Sequence, residues 1–165
     1  MPSYGIAYLL KGQAGEMIQK MKDELQPGNI PVHVTLGMGV VEKPADEVAR
    51  LVADLARTQA PVPINLHGSA HFLPISNTSF LEVALSPELM NLHDAVNKFM
   101  GWSDSYSFVP HCTMTMGKSP EEIKAAAEWL SSRNVRIQDT IDTLSLFIVY
   151  TPGEWEIVGK VVMEG

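Results

Sequence analysis

PVHVTLGMGV, residues 31–40, is an apolar segment that carries a histidine and a threonine two positions apart. Successive side chains of a β-strand point to opposite faces. The sequence therefore predicts a strand with His33 and Thr35 on one face and Val32, Val34 and Leu36 on the other. The segment FVPHCTMTMGK, residues 108–118, repeats this pattern. Its predicted faces are His111, Thr113 and Thr115 on one side, and Cys112, Met114 and Met116 on the other.

The same series of elements surrounds both segments: a strand, a helix, the His-x-Thr strand, a second helix and a further strand. The two histidines are 78 residues apart (111 − 33). The prolines that open the following helices, Pro44 and Pro120, are 76 apart (120 − 44). Self-similarity at a fixed spacing is the sequence signature of an internal repeat. The chain is therefore interpreted as a duplication.

The repeat halves are residues 3–76 and 78–151, and a turn at Pro152-Gly153 leads into a last strand at 154–163. No linker rich in Gly or Ser separates the halves. Residues 1–165 are therefore predicted to form one domain made of two pseudo-symmetric lobes.

Helices are expected where apolar residues recur at helical spacing behind a capping residue. These criteria predict helices at residues 15–26, after Pro44, after Ser86-Pro87 and after Ser119-Pro120. Residues 62–73 read as extended chain interrupted by Gly68, and residues 135–150 are predicted to hold a strand centred on LSLFIVY, residues 144–150.

A duplicated unit that pairs about a pseudo-twofold axis would bring His33 and His111 to opposite sides of one cleft. Thr35 and Thr113 would lie beside them. Cleavage of a phosphodiester needs such a set, because one neutral imidazole can act as general base and one imidazolium as general acid. The threonine hydroxyls would donate hydrogen bonds to the phosphoryl oxygens as charge develops there. This chemistry requires no metal.

The motifs HVTL and HCTM, one in each half, resemble the two-histidine (2H) phosphoesterase superfamily, which includes the LigT-like enzymes formerly called 2′-5′ RNA ligases. The resemblance spans nearly the whole chain. It implies an α+β, bilobal fold with two antiparallel sheets, flanked by helices, around a central cleft. It also implies metal-independent cleavage of a 2′,3′-cyclic phosphate or of a small 2′-5′-linked or cyclic oligonucleotide. The catalytic positions carried over are His33, Thr35, His111 and Thr113, and no cofactor is implied.

The charge of the chain limits the class of partner. Twelve Lys and Arg residues face 19 Asp and Glu residues, which gives a net charge of −7. A protein that grips long nucleic acid by its phosphates needs a basic surface. A small nucleotide or oligonucleotide is therefore the expected substrate, and long nucleic acid is not.

The rest of the composition bears on location. The single cysteine, Cys112, and the absence of a recognisable signal peptide predict a cytoplasmic protein. No segment has the length of a membrane-spanning helix, so no membrane association is expected. The sequence does not determine the oligomeric state.

Several residues have more than one interpretation. Tyr4 and Trp155 are the candidate stacking platforms for a nucleobase, with packing as the alternative reading. His67 and His71, expected on one strand face with Asn65 and Ser69, could line the cleft or bind a metal together with His33 and His111. His93 is interpreted as structural and Cys112 as a core residue. A nucleotide-binding module without catalysis, and a histidine metal-binding protein, are the alternative functions.

Overall fold

The computed structural model describes residues 2–151 and 154–165 and contains two four-stranded antiparallel sheets flanked by four helices. This architecture confirms the α+β fold predicted above. The predicted turn at Pro152-Gly153 lies outside the described residues.

The strands are β1 Ser3–Leu9, β2 His33–Val40, β3 Val62–His71, β4 Thr78–Val83, β5 His111–Met116, β6 Arg136–Ile141, β7 Thr143–Thr151 and β8 Glu154–Val162. The helices are α1 Gly12–Leu25, α2 Ala45–Arg57, α3 Pro87–Met100 and α4 Pro120–Ser132. Helices α3 and α4 begin as their sequences predict. Ser86 accepts a hydrogen bond from the Leu89 amide, and Ser119 accepts one from the Glu122 amide.

Each sheet is built from both halves of the chain. Sheet A has the strand order β2-β1-β7-β8, and sheet B has the order β5-β4-β3-β6. The strands with the two His-x-Thr motifs, β2 and β5, are therefore edge strands. They contact each other where the sheets meet, so the fold itself brings the motifs together.

Two helices pack on the motif strand of the other half. Helix α3 packs on β2 of sheet A, whereas α1 packs on β5 of sheet B. At the end of α1, the Gln26 side chain donates to the Met116 carbonyl (3.1 Å) and accepts from the Met116 amide (2.8 Å). A glutamine from the first half thus pairs with the edge strand of the second half, as a neighbouring strand would.

A β-bulge follows the threonine of each motif. Ala7 pairs with Thr35 and Ile6 with Gly37, which leaves Leu36 as the extra residue of β2. In β5, Phe80 pairs with Thr113 and Ser79 with Thr115, so Met114 is the extra residue. Both apolar side chains are fully buried.

The bulge in β5 corrects one prediction. An extra residue reverses the alternation of faces beyond it. Thr115 therefore does not share a face with His111 and Thr113; it is buried and hydrogen-bonds Ser79. The side chain of Met116 is partly exposed rather than buried with Cys112.

The segment at residues 135–150 holds the predicted strand centred on residues 144–150, and also a second strand that was not predicted. Strand β6 is an edge strand of sheet B, and β7 belongs to sheet A. Asp142 is the single residue between the two strands. Asp142 accepts a 2.6 Å hydrogen bond from the Lys11 ammonium group. Such a short connection leaves no turn signal in the sequence.

Among the helices of residues 2–151 and 154–165, none combines the length and apolar character needed to cross a membrane.

Candidate active site

The two motif histidines are held in the same way. The Nδ1 atom of His33 lies 2.7 Å from the Pro31 carbonyl oxygen, and Nδ1 of His111 lies 2.7 Å from the Val109 carbonyl oxygen. A carbonyl oxygen can only accept a hydrogen bond, so each Nδ1 carries the proton. In the neutral ring, Nε2 is then the atom that can accept a proton.

The surroundings of the two strands are also equivalent. Burial along His33–Met38 and along His111–Met116 follows one pattern, with half-buried histidine and threonine, fully buried residues between and after them, and an exposed methionine at the end. This agreement reaches beyond the four-residue motif to the whole strand and its bulge. The similarity of the two motifs therefore extends to the environment of their side chains.

A pair of aromatic rings packs on each histidine. The ring centre of His33 is 4.8 Å from that of Trp155 and 6.2 Å from that of Phe147. For His111 the corresponding distances are 4.9 Å to Phe72 and 5.1 Å to Phe80. These rings fix the imidazoles and exclude water from their sides.

The sequence makes room for one of these rings with a glycine. Gly5 of β1 pairs with Phe147 of β7, and a Cβ atom on Gly5 would lie within the Phe147 ring. The ring can thus lie across the bare backbone of β1 toward β2. A glycine within a strand often marks such a close approach.

Thr35 and Thr113 lie on the same strand faces as the histidines, two residues further on. Both are half-buried, and neither hydroxyl is hydrogen-bonded to another group of residues 2–151 or 154–165. A hydroxyl in this state is available to a bound ligand.

Burial shifts the pKa of both histidines. Desolvation lowers the pKa of His33 from 6.5, against a hydrogen bond to Pro31 that favours the charged ring, and the charges of His111 and Lys22 lower it further. Desolvation also lowers the pKa of His111, again opposed by its backbone hydrogen bond. Both rings are therefore more readily neutral than a free histidine, which suits a general base.

His67 and His71 do not share one strand face, and they form no metal site with the motif histidines among the described residues. Ser69 donates a hydrogen bond to Ala127 of α4, and His71 lies on this α4-facing side of β3. His67 is separated from Ser69 by a bulge, so the predicted common face of Asn65, His67, Ser69 and His71 does not form. Within the described residues, no three His, Cys, Asp or Glu side chains gather as a metal site would require.

His93 and Cys112 are structural, as predicted. His93 is buried, and its ring nitrogens lie 2.6 Å from the Leu36 carbonyl oxygen and 2.6 Å from an Asp104 carboxylate oxygen. The hydrogen bond from His93 therefore holds Leu36, the extra residue of the bulge in β2, in place. Cys112 is fully buried, and burial raises its pKa to about 12, so its thiol is not a nucleophile.

Of the two candidate stacking residues, the structure brings only Trp155 to the histidines. Tyr4 alternates with Gly5 along β1, so it lies on the face opposite Phe147 and is 2% exposed. A buried ring has no free face for a nucleobase, and this corrects the prediction for Tyr4. Phe147 was a candidate by residue type only, and sequence reasoning missed Phe72 and Phe80. The signal for Phe80 was its alternation with Leu81 in β4, and Phe72 follows β3, where no strand pattern points to it.

Comparison with known protein families gives one match over most of the chain. Residues 12–151 match the model of the 2′-5′ RNA ligase superfamily. A relative in Halalkalibacterium halodurans named "Putative phosphoesterase BH1439" is 24% identical over 94% of this chain and 94% of its own. A Bacillus pumilus protein with the same description is 22% identical over 93% of each chain.

Solved structures with the same fold include proteins of two bacteria. The crystal structure of TT0787 of Thermus thermophilus superposes with a TM-score of 0.68, at 18% identity, over 100% of this chain and 99% of that one. Escherichia coli LigT complexed with 3′-AMP gives a TM-score of 0.66 at 16% identity over 99% of both chains. At these identities the likeness establishes the fold.

Proposed function

The chain belongs to the 2′-5′ RNA ligase superfamily, and on this premise we propose that it is a metal-independent phosphodiesterase that uses His33 and His111 as its acid–base pair. Its substrate is a nucleoside 2′,3′-cyclic phosphate or a small 2′-5′-linked or cyclic oligonucleotide. The observation that carries the proposal is the equivalence of the two histidines. Each makes the same kind of hydrogen bond to a backbone carbonyl, lies in the same burial pattern and packs against two aromatic rings.

In this reaction one imidazole accepts the proton of the attacking water or hydroxyl through Nε2. The other, as imidazolium, donates a proton from Nε2 to the leaving ribose oxygen. The new phosphorus–oxygen bond forms as the old one breaks, and the protons balance. Thr35 and Thr113 donate hydrogen bonds to the non-bridging oxygens. Each acid–base group contributes about 10²–10⁴-fold.

Two further observations support a small nucleotide as substrate. LigT, which shares the fold, has been crystallised with 3′-AMP and with ATP. In this chain, Trp155 is half-buried and lies beside His33, where one side of a base could stack on it.

The proposal is tested by incubation with 2′,3′-cyclic mononucleotides, 2′-5′ oligoadenylate, and cyclic di- and trinucleotides, each with and without EDTA. We expect at least one substrate to be hydrolysed equally under both conditions. Complete loss of activity in EDTA, restored by zinc or manganese, would overturn the metal-free mechanism. Saturable binding without turnover of any substrate would favour a nucleotide-binding module instead.

A further inference from the structure

The two halves differ at the residue that lies across from each histidine. Leu9 of β1 pairs with His33, whereas Glu82 of β4 pairs with His111. Directly opposed residues of neighbouring strands point to the same face of a sheet. A carboxylate therefore lies on the histidine face of sheet B, and an apolar side chain occupies the equivalent position of sheet A.

A glycine in β3 leaves space for this carboxylate. Gly68 of β3 lies within the bulge opposite β4 and has a φ of +74°, in the region that favours glycine. Oε2 of Glu82 lies 2.7 Å from the position that a Cβ atom on Gly68 would occupy. Any larger residue there would displace the carboxylate. Glu82 nevertheless remains exposed, and among the described residues it forms no salt bridge.

The corresponding face of sheet A is apolar. Met38 pairs with Gly5 and Val40 with Ser3, and both side chains are 47% exposed. They share this face with Phe147, which also pairs with Gly5. An aromatic base fits this surface, so the other end of a bound nucleotide would extend over sheet B toward Glu82.

We propose that Glu82 is a specificity residue that selects substrates with an uncharged, hydroxyl-bearing group beside His111. This inference rests on the proposed function. A carboxylate accepts hydrogen bonds from a ribose hydroxyl but repels a second phosphate. The preferred substrate is therefore a singly charged phosphodiester with a free 5′-hydroxyl, rather than the same compound with a 5′-phosphate.

The test compares kcat/KM for a nucleoside 2′,3′-cyclic phosphate that has a free 5′-hydroxyl with kcat/KM for its 5′-phosphorylated form. We expect the wild-type protein to prefer the 5′-hydroxyl form by about tenfold. Glu82→Gln keeps the size of the side chain and should reduce this preference to about threefold or less. Glu128→Gln removes an exposed carboxylate of α4 and should leave the preference unchanged.

Salt gives a second readout that a purely structural role would not affect. Raising the ionic strength from about 0.01 M to about 0.15 M should weaken the wild-type preference and leave that of Glu82→Gln nearly constant. Equal preferences in the wild type and Glu82→Gln, with turnover intact, would overturn the inference and leave the proposed function standing.

If neither compound is turned over, the inference is judged on binding, and the proposed function is judged on the other substrates of its own test. Calorimetry would then compare a nucleoside 3′-phosphate with the 3′,5′-bisphosphate. Tighter binding of the singly phosphorylated compound, lost in Glu82→Gln, would support the inference. Equal affinities would overturn it.

Discussion

His33 and His111 are electrostatically coupled: after burial, the positive charge of His111 is the largest influence that lowers the pKa of His33. The proton taken up by one ring therefore opposes uptake of a second. Acid–base catalysis by two imidazoles requires this singly protonated state. The apparent pKa values belong to the pair and do not assign either role.

We expect kcat/KM to follow a bell-shaped pH profile whose maximum lies below pH 6.5. Both pKa values are lowered from 6.5 in the free protein, so the singly protonated pair is lost as the pH rises toward neutrality. We expect kcat/KM to fall on this limb. The negative charge of bound substrate favours the imidazolium, so the same limb of kcat should lie at higher pH.

Measurement of both parameters between pH 4 and pH 9 checks this prediction. A flat profile would contradict the acid–base interpretation, and coincident limbs for kcat and kcat/KM would contradict the effect of the substrate's charge. A substrate with a p-nitrophenolate leaving group needs little protonation. With it, the variant that lacks the acid histidine should recover much of its rate, which would tell His33 from His111.

His33→Ala and His111→Ala should each lower the chemical step by at least about 10²-fold. His71→Ala is the matched control, because His71 is exposed on the side of β3 that faces α4. Single-turnover kinetics on variants with unchanged circular dichroism measure the effect. If His71→Ala strongly reduced activity and the two motif histidine variants did not, the active site would lie elsewhere.

Thr35→Val and Thr113→Val should reduce activity by less than the histidine variants, through lost hydrogen bonds to the phosphoryl oxygens. Thr115→Val separates this effect from packing. Thr115 is buried and hydrogen-bonds Ser79, so its loss should lower the free energy of unfolding by about 1–3 kcal/mol.

Denaturant unfolding and kinetics are compared for all three threonine variants. Thr115→Val should retain its activity under conditions in which it is folded. If folded Thr115→Val lost as much activity as folded Thr113→Val, the assigned strand faces would be wrong.

Gly5→Ala should displace the Phe147 ring, because a Cβ atom on Gly5 would lie within it. Overpacking of this kind costs about 1–3 kcal/mol. The loss of packing beside His33 should also move the pKa of this residue toward 6.5, since burial is what lowers it most. NMR titration of the imidazole and denaturant unfolding test the two effects. Gly159→Ala is the control, because a Cβ atom on this strand glycine of sheet A would make only ordinary contacts of 3.8 Å or more. Unchanged His33 titration in Gly5→Ala would contradict the role of the ring.

The sequence predicted the strands of the two motifs and, in each strand, the faces of the three residues from the histidine to the threonine. His33 and Thr35, like His111 and Thr113, share a face because nothing interrupts the alternation between them. Beyond the threonines the prediction for Thr115 was wrong, since a bulge depends on how two strands pair and not on either strand alone. The same limit applies to His67 and His71.

The aromatic packing illustrates a second limit. Trp155 was a candidate by residue type, but nothing local distinguishes it from Tyr4. Their roles separate only when β1 is inserted between β2 and β7, which puts Gly5 toward Phe147 and turns Tyr4 to the opposite face. This arrangement joins segments at opposite ends of the chain, which a periodicity within one strand does not encode.

The exchange of strands and helices between the halves has a consequence for synthesis of the protein. Ser3 in β1 pairs with Val149 in β7, so the first strand emerges from the ribosome long before its neighbour exists. Pairings between such distant segments form slowly, and the unpaired apolar strands are prone to aggregate meanwhile. The nascent first half thus has reason to depend on chaperones, and the site of the two histidines is assembled only after β7 has been synthesised.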